Sequence, residues 1–389
     1  MLKYVCAKMK CKPRCEYMAS GKPYIYTRDG FMVGGFLFGA HKKAMGELVF
    51  TTSMTGYPES LTDPSYKGQI LVFTHPLIGN YGVPKAKPIH GTKLLGNFES
   101  DRIQAEGVIV SECTSGTKWD SDSSFDSWLK AESIPGISGI DTRALTIRLR
   151  DHGTTMGVIS DDRKDMKALD RYDYESINFV EMVSPKKPVY CRIRGKKPKG
   201  TIAVMDFGAK NGFINDLMSL GYDVVRAPWD SSAQDILDLK PSGIVYGNGP
   251  GNPNLLKEAI ATIRELLGTG IPSMGICLGH QLTSIALGGK IRKMKFGHRA
   301  VNKGVINRID GKAYITTHNH GYALSKRDMP KGAKILFESI DDDVVEGIID
   351  KKHNLITTQF HPEARPGAWD TQFIFGTFYR MMQNGRKKA

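Results

Sequence analysis

The sequence predicts an α/β protein in which a mixed β/α domain precedes a C-terminal domain with a doubly wound, mostly parallel sheet. Three observations support this fold class. From residue 201 onward, apolar strand-like runs alternate with amphipathic helical runs, an order that favours parallel strands with helices on both faces. One of these strands leads into a Gly-flanked turn around Cys277. A stretch rich in Pro, Gly, Lys and Arg separates the two halves at 184–200.

These changes in composition divide the 389 residues into four parts. We predict an extension at 1–20, an N-terminal domain at 21–183, a linker at 184–200 and the second domain at 201–385. The linker contains a short predicted strand at 189–190.

Hydrophobic periodicity predicts the elements in chain order. The first domain has predicted strands at 46–52 and 69–73 and predicted helices at 119–132 and 143–150. In the second domain the predicted strands are 201–205, 223–227, 243–246, 271–274, 304–307, 313–317, 334–338, 344–350 and 355–359. Its predicted helices are 211–220, 255–267, 280–287 and 370–384.

Composition excludes several classes of protein. Hydrophobic residues make up 40% and charged residues 24% of the chain, as in ordinary globular proteins. No apolar run approaches the roughly 20 residues that span a bilayer, and the basic start lacks the apolar core of a signal peptide. We therefore expect a cytoplasmic protein with no membrane contact.

The net charge of +14 raises the question of nucleic-acid binding. The basic residues are spread along the chain, except at 186–199 and 386–388, and no nucleic-acid motif is present. We therefore do not expect nucleic acid as a partner, and an acidic protein surface explains the charge at least as well.

Six cysteines are present, and three of them, Cys6, Cys11 and Cys15, lie in the first fifteen residues. Their C-x4-C-x3-C spacing does not match a common zinc site, and no fourth ligand is nearby. We interpret them as part of an incidental extension.

Cys277 is the most informative residue. It lies in Gly-Ile-Cys-Leu-Gly at 275–279, between a predicted strand and a predicted helix, which is the outline of a nucleophile elbow. The positive end of the helix dipole favours the thiolate, and a thiolate attacks acyl carbons. Taken alone, the pentapeptide fits a buried packing cysteine equally well.

A base and its orienting group follow the last predicted strand. His361 and Glu363 are two residues apart, so in an extended segment both side chains point to one side and the carboxylate can hold the imidazole. On their own, they also fit a surface pair at a strand end.

Two further segments fit a site for acyl chemistry. A loop at 247–253 follows a parallel strand, and since Pro250 has no N–H, Gly249 or Gly251 must donate to an oxyanion there. The second donor would be the N–H of Leu278. The segment His-Asn-His-Gly-Tyr at 318–322 is interpreted as a substrate-contact loop, because its i, i+2 histidine spacing is unusual for zinc. We predict no metal site.

Together these segments resemble the class I, triad-type glutamine amidotransferases. The resemblance covers about 201–379, and its motifs are Gly-Ile-Cys-Leu-Gly-His-Gln at 275–281, Asn-Gly-Pro-Gly-Asn-Pro at 248–253 and Phe-His-Pro-Glu-Ala at 360–364. The first half narrows the resemblance to the family of carbamoyl-phosphate synthetase small subunits. The segments that carry this second resemblance are 51–57, 61–66, 78–82, 137–146, 206–210 and 294–298.

The family resemblance assigns a role to each matching residue. Cys277 would form a γ-glutamyl thioester, His361 would act as base and then acid, and Glu363 would orient His361. The oxyanion donors would be Leu278 and Gly249. The glutamine contacts would be Ser53, Gly249, Gly251, Leu278, Gln281, Asn319, Gly321 and Tyr322.

The resemblance also implies a partner and a pathway. Carbamoyl phosphate requires ATP and bicarbonate, yet this chain has no G-x-x-x-x-G-K-[ST] loop. ATP and Mg²⁺ are therefore expected on a large subunit that receives ammonia and docks on the N-terminal domain. This chain itself needs no cofactor, and the product would enter pyrimidine and arginine synthesis.

Two departures from the family pattern stand out. Tyr322 occupies a position where an aromatic residue without a hydroxyl is common, and 297–302 lacks the usual glycine-bearing form. The alternatives are an amidotransferase for another acceptor, a free-standing cysteine hydrolase, and a non-catalytic docking subunit. The motifs of the first domain argue against the first two, and the presence of Cys277 and His361 argues against the third.

Overall fold

The computed structural model describes residues 23–386 except 90, 91, 93 and 117. Two large sheets dominate this part of the chain, one of eight strands and one of ten. The predicted extension, with its three cysteines, lies outside the described residues. Within the described ranges, no helix has both the length and the apolar character that crossing a membrane requires.

The first half of the chain forms a mixed β/α unit, as predicted. Its strands are β1 (Tyr24–Thr27), β2 (Met32–Gly34), β3 (Phe36–Gly39), β4 (Ala44–Thr51), β5 (Gln69–Phe73), β6 (Leu77–Ile78), β7 (Val83–Pro84), β8 (Gly107–Ile109), β9 (Glu112–Cys113), β10 (Ser121–Ser123), β11 (Pro135–Ser138) and β12 (Thr155–Ser160). The large sheet has the order β2-β1-β12-β4-β5-β8-β11-β3. Alternate residues fill two cores, with Val49 and Leu71 on one face and Leu48 and Ile70 on the other.

Short helices cover this sheet. They are α1 (Tyr57–Thr62), α2 (Phe125–Ala131), α3 (Thr142–His152), α4 (Met166–Leu169) and α5 (Val180–Val183), with 3-10 turns at Pro64–Tyr66, Arg163–Asp165 and Tyr174–Ser176. The predicted helix at 143–150 is confirmed as α3, which Asp141 caps by accepting from the N–H of Ala144. The helix predicted at 119–132 is wrong at its start, because β10 pairs with β7 and Ser124 caps a shorter α2.

The second half forms a ten-stranded sheet. Its strands are β13 (Val189–Cys191), β14 (Thr201–Asp206), β15 (Asp223–Pro228), β16 (Gly243–Tyr246), β17 (Ser273–Ile276), β18 (Ile291–Asn307), β19 (Ala313–Leu324), β20 (Lys334–Ser339), β21 (Val345–Asp350) and β22 (Leu355–Thr358). Strands β15-β14-β16-β17-β22 pair in parallel, while β13 and β18 to β21 pair antiparallel. The predicted α/β fold class is confirmed.

Helices cover both faces of the parallel strands. They are α6 (Asn211–Ser219), α7 (Ala233–Asp238), α8 (Lys257–Gly268), α9 (Leu278–Ala286) and α10 (Phe373–Arg386), with 3-10 turns at Pro253–Leu255 and Lys326–Asp328. On β14, Val204 packs in a core with Phe213 of α6 and Phe378 of α10. Its neighbour Ala203 faces the opposite core, with Ile263 of α8. This alternation is the doubly wound arrangement that the sequence predicts.

Three features of the second half differ from the sequence predictions. Helix α7 is not among the predicted helices, although Ser232 and Asp235 form a capping box at its start. Strands β18 and β19 are much longer than 304–307 and 313–317. The segment 318–322 is not a loop but lies within β19, where ladder hydrogen bonds to β18 hold it.

The two halves of the chain contact each other near the carboxyl ends of the parallel strands. Asn248, after β16, donates to Ser65 Oγ over 3.1 Å, and Asn319 of β19 donates to Asp63 Oδ2 over 3.0 Å. The N–H of Asn211 donates to the carbonyl of Glu99 over 2.8 Å. Since ligands of open α/β sheets bind at this end of the strands, the junction between the domains borders the expected site.

Candidate active site

The turn between β17 and α9 is the predicted elbow. Cys277 has φ 52° and ψ −103°, a rare backbone conformation for a residue with a side chain. The flanking glycines are required by close approach: a Cβ on Gly279 would lie 2.0 Å from the carbonyl oxygen of Tyr246, and one on Gly275 would lie 2.9 Å from Gly279. The elbow therefore places the thiol at the start of α9.

His361 and Glu363 form the predicted pair. Nδ1 of His361 lies 2.7 Å from Oε1 of Glu363, and both side chains are buried. The segment is not extended as predicted; His361 makes a single bridge to Thr317 and the chain then turns. The carboxylate reaches the imidazole across this turn.

The imidazole is set up to interact with the thiol. Burial alone would lower the pKa of His361, but the Glu363 carboxylate, with a smaller contribution from Cys277, raises that pKa above its ordinary value. Nε2 of His361 has no hydrogen-bond partner among the described residues, so it is available to the thiol and substrate. Hydrogen bonds between a catalytic base and its nucleophile commonly shorten only when substrate is bound.

Lys210 forms a buried ion pair with Glu363. Its Nζ lies 3.1 Å from Glu363 Oε1 and 3.9 Å from Glu99 Oε2, and all three side chains are at most 2% exposed. It also donates to the carbonyls of Ala364 and Arg365, at 2.8 and 3.0 Å. Burial opposes ionisation of Glu363, yet Lys210 and His361 hold its pKa below the ordinary value. In the sequence, Lys210 stands out only as part of the motif at 206–210, and no local pattern indicates this role.

Glu99, a residue of the first domain, is the second carboxylate near Lys210. It accepts from the N–H of Gly212, at the start of α6, over 3.0 Å. Burial raises the pKa of Glu99 to about 7, despite the opposing effect of Lys210. No sequence motif near Glu99 indicated it, because its contacts join residues more than 100 positions apart.

The loop at 247–253 lies beside the elbow. A Cβ on Gly249 would lie 2.2 Å from the carbonyl oxygen of Phe207 and 2.9 Å from the Leu278 side chain, so only glycine fits. Leu278 is the first residue of α9, and its N–H has no partner within the helix. Gly251 has φ +85°, which glycine adopts without strain. This arrangement leaves the predicted oxyanion donors next to the thiol; their role stays a prediction.

One cleft contains most of the predicted glutamine contacts. The residues that line it include Cys277, Gly249, Gly251, Gln281, Asn319, Gly321 and Tyr322. Sγ of Cys277 lies 3.7 Å from the carbonyl oxygen of Asn319. Ser53 is placed differently: it lines the neighbouring cavity with His361, and its hydroxyl pairs with Thr51 at 2.9 Å.

Charged residues that the sequence analysis did not single out line the same cleft. Lys293 bonds to Glu47 over 2.8 Å and also to Glu175, whose Oε2 accepts from the Tyr322 hydroxyl over 2.5 Å. The additional hydroxyl of Tyr322 therefore has a partner in the first domain.

The divergent segment 297–302 contributes Arg299 to the cleft. This side chain is 6% exposed and donates to the carbonyl of Phe296 over 2.6 Å. Its Nε has no hydrogen-bond partner within the described part of the chain. A buried cation with spare donors is suited to a carboxylate ligand.

A cysteine elbow, a His–Glu pair and a Gly-rich loop at the ends of parallel strands define a triad-type amidotransferase. The family description "Glutamine amidotransferase class-I" matches residues 203–381, in agreement with this class.

The first half identifies the particular family. The description "Carbamoyl-phosphate synthase small chain, CPSase domain" matches residues 25–159. The carbamoyl phosphate synthase small chain of Sulfolobus acidocaldarius is 51% identical over 371 residues, which cover 94% of this chain and 99% of that one. Those of Saccharolobus solfataricus and Pyrococcus furiosus are 50% and 44% identical, with 93% and 94% of this chain and 98% and 99% of theirs covered. The chain belongs to the family of carbamoyl phosphate synthase small chains.

Proposed function

We propose that this chain hydrolyses the side-chain amide of glutamine and supplies ammonia to a large, ATP-using subunit that makes carbamoyl phosphate. The observation that carries the proposal is that the buried imidazole of His361 interacts with Cys277 on one side and with the Glu363 carboxylate on the other, in a chain of this family. A thiolate nucleophile at Cys277 requires a reducing compartment, so we place the reaction in the cytoplasm.

In the first step the thiolate of Cys277 attacks the amide carbon. The N–H groups of Leu278 and Gly249 stabilise the oxyanion, and His361 gives its proton to the leaving nitrogen. The C–N bond breaks, ammonia leaves, and a γ-glutamyl thioester remains. His361 then takes a proton from water, which attacks the thioester and releases glutamate and the free thiol.

The cleft also suggests how glutamine is held. Gln281, Asn319, Gly321, Gly251 and Tyr322 line it, and the guanidinium of Arg299 suits the α-carboxylate. Ser53 lines the neighbouring cavity with His361 and Asn319, and we keep it as a proposed glutamine contact from the first domain.

The synthetase steps require a second polypeptide. No phosphate-binding loop of the G-x-x-x-x-G-K-[ST] type is present, so ATP and Mg²⁺ would bind to the large subunit. The N-terminal domain would dock this subunit, and carbamoyl phosphate would enter pyrimidine and arginine synthesis.

Replacing Cys277 in the two-subunit enzyme tests the proposal. Cys277→Ser should abolish glutamine-dependent carbamoyl phosphate synthesis and leave synthesis from added ammonia intact. The matched control, Cys113→Ser, should retain both activities. Wild-type use of glutamine by Cys277→Ser would refute the assignment of the nucleophile. If no large subunit co-purifies with this chain or changes its glutaminase activity, the ammonia would go to a different acceptor.

A further inference from the structure

Four buried side chains converge behind the cleft strand β19. They are His298 of β18, His318 and His320 of β19 and Glu346 of β21, and one ligand atom from each lies within 4.8 Å of the others. None is more than 5% exposed. The sequence showed only the two histidines of β19; the fold adds a third histidine and a carboxylate.

Two of the imidazoles have clear outward hydrogen bonds. His298 Nε2 lies 2.8 Å from Asp342 Oδ2, and His320 Nδ1 lies 2.9 Å from the carbonyl oxygen of Tyr322. A carbonyl oxygen only accepts, and so does an ionised carboxylate, so each ring donates its outer N–H. The inner nitrogens, His298 Nδ1 and His320 Nε2, then carry lone pairs in the neutral rings.

His318 is held in the same way. Its Nε2 lies 2.7 Å from Thr316 Oγ1, and that hydroxyl gives its own hydrogen to the carbonyl of Lys303 over 2.9 Å. His318 therefore donates outward, and its Nδ1 presents a lone pair to the cluster. A histidine that donates one nitrogen to an oxygen acceptor and offers the other inward is the usual arrangement around a protein-bound metal.

The inward groups face one another without a donor. His318 Nδ1 and His320 Nε2 are 3.3 Å apart, and Glu346 Oε2 lies 3.5 Å from His318 Nδ1 with no hydrogen-bond partner among the described residues. Lone pairs in contact and a buried carboxylate oxygen without a partner are unfavourable in a dry interior. If His298 carried a second proton, its Nδ1 could donate to Glu346 Oε1, 3.3 Å away. The contacts of His318 Nδ1 with His320 Nε2 and with Glu346 Oε2 would still lack a hydrogen.

Part of the spacing is close to that around a tetrahedral ion. Metal–ligand bonds of about 2.0–2.1 Å at the tetrahedral angle place ligand atoms about 3.3 Å apart. His318 Nδ1 lies 3.3 Å from His320 Nε2, and the two oxygens of Glu346 lie 3.3 Å from His298 Nδ1 and 3.5 Å from His318 Nδ1, while all four ligand atoms lie within 4.8 Å of one another. We propose that His298, His318, His320 and Glu346 bind one divalent transition-metal ion, with zinc as the expected occupant.

The site is structural, because four protein ligands close the coordination shell of zinc. Side chains alternate along a strand, so Asn319 points away from the ligands on either side of it. Its amide donates to Asp63 over 3.0 Å, and its carbonyl lies 3.7 Å from Cys277 Sγ. The ion would fix β19 against β18 and β21 and so position the strand that lines the cleft.

Metal analysis of the full-length chain tests this site. Protein purified without chelators from zinc-supplemented medium should contain about one zinc per chain by inductively coupled plasma mass spectrometry. His318→Gln and Glu346→Gln should each lose most of it. The matched control is His353→Gln, which removes a histidine paired with Asp350 at the other end of β21 and should keep the full zinc content.

Two further readouts need no catalytic assay. Cobalt added to chelator-treated protein should give the strong visible absorption of a tetrahedral site, and metal removal should lower the Tm of the wild type but not of Glu346→Gln. The proposal is overturned if folded wild-type chain, incubated with excess zinc and dialysed, retains none, or if all variants retain it equally. If the variants fail to fold, the zinc content of the wild type decides alone.

Discussion

The buried Lys210 offers the most quantitative test of how the two domains support the triad. Its Nζ lies 3.1 Å from Glu363 and 3.9 Å from Glu99. At an effective dielectric constant of about 20, each contact corresponds to about 4–5 kcal/mol of attraction. Most of this attraction offsets desolvation, but removing the cation leaves two carboxylates buried without it, which typically costs about 3–5 kcal/mol.

Lys210→Met should therefore lower the free energy of unfolding by about 3–5 kcal/mol. Urea unfolding of the full-length chain, followed by circular dichroism, measures the change. The matched control is Lys257→Met, which removes an exposed lysine at the start of α8 and should change stability by less than about 0.5 kcal/mol.

The double variant Lys210→Met with Glu99→Gln separates the electrostatic effect from a packing defect. Above about pH 7, where the Glu99 carboxyl is ionised in the wild type, replacing it by an uncharged amide should restore part of the lost stability. A loss of less than about 1 kcal/mol for Lys210→Met, or no recovery in the double variant, would refute the reasoning.

Three more predictions concern the site. His361→Asn should slow thioester formation about 100-fold or more in rapid-quench experiments, and a wild-type rate would remove His361 from the mechanism. The pKa of Glu99, about 7, lies above the ordinary value of 4.5, so its contribution to stability is present below pH 4.5 and is lost as the pH rises to about 7. Wild type should thus lose stability relative to Glu99→Gln over this range, and parallel pH curves would contradict the burial argument. Arg299→Ala should raise the KM for glutamine about ten-fold or more with a smaller effect on kcat, whereas an unchanged KM would exclude the carboxylate contact.

Local patterns explain what the sequence predicts well. The elbow at Cys277 depends on residues within five positions, and the alternating strands and helices of the second half depend on short-range periodicity. The loop at 247–253 follows its strand directly, so its place at the end of the sheet is also predictable.

Long-range contacts explain what the sequence does not show. Lys210, Glu99 and Glu363 come from distant parts of the chain, and no spacing rule joins them. In the same way, the histidines of β19 meet Glu346 only because the folded chain packs β21 near β19, although the two strands are not paired in the sheet. The error at 119–132 has a different cause, since β10 pairs with a strand nearly forty residues away and so overrides helical periodicity.

The central claim is that the sulfur of Cys277 bonds covalently to the glutamyl group. Incubating the two-subunit enzyme with radiolabelled glutamine, quenching in acid and mapping the labelled peptide tests this claim directly. We predict label on the peptide that contains Cys277, and none in Cys277→Ala. Label on another residue would contradict the account. So would a wild type that turns over glutamine without a labelled intermediate and a Cys277→Ala variant that turns it over at the same rate.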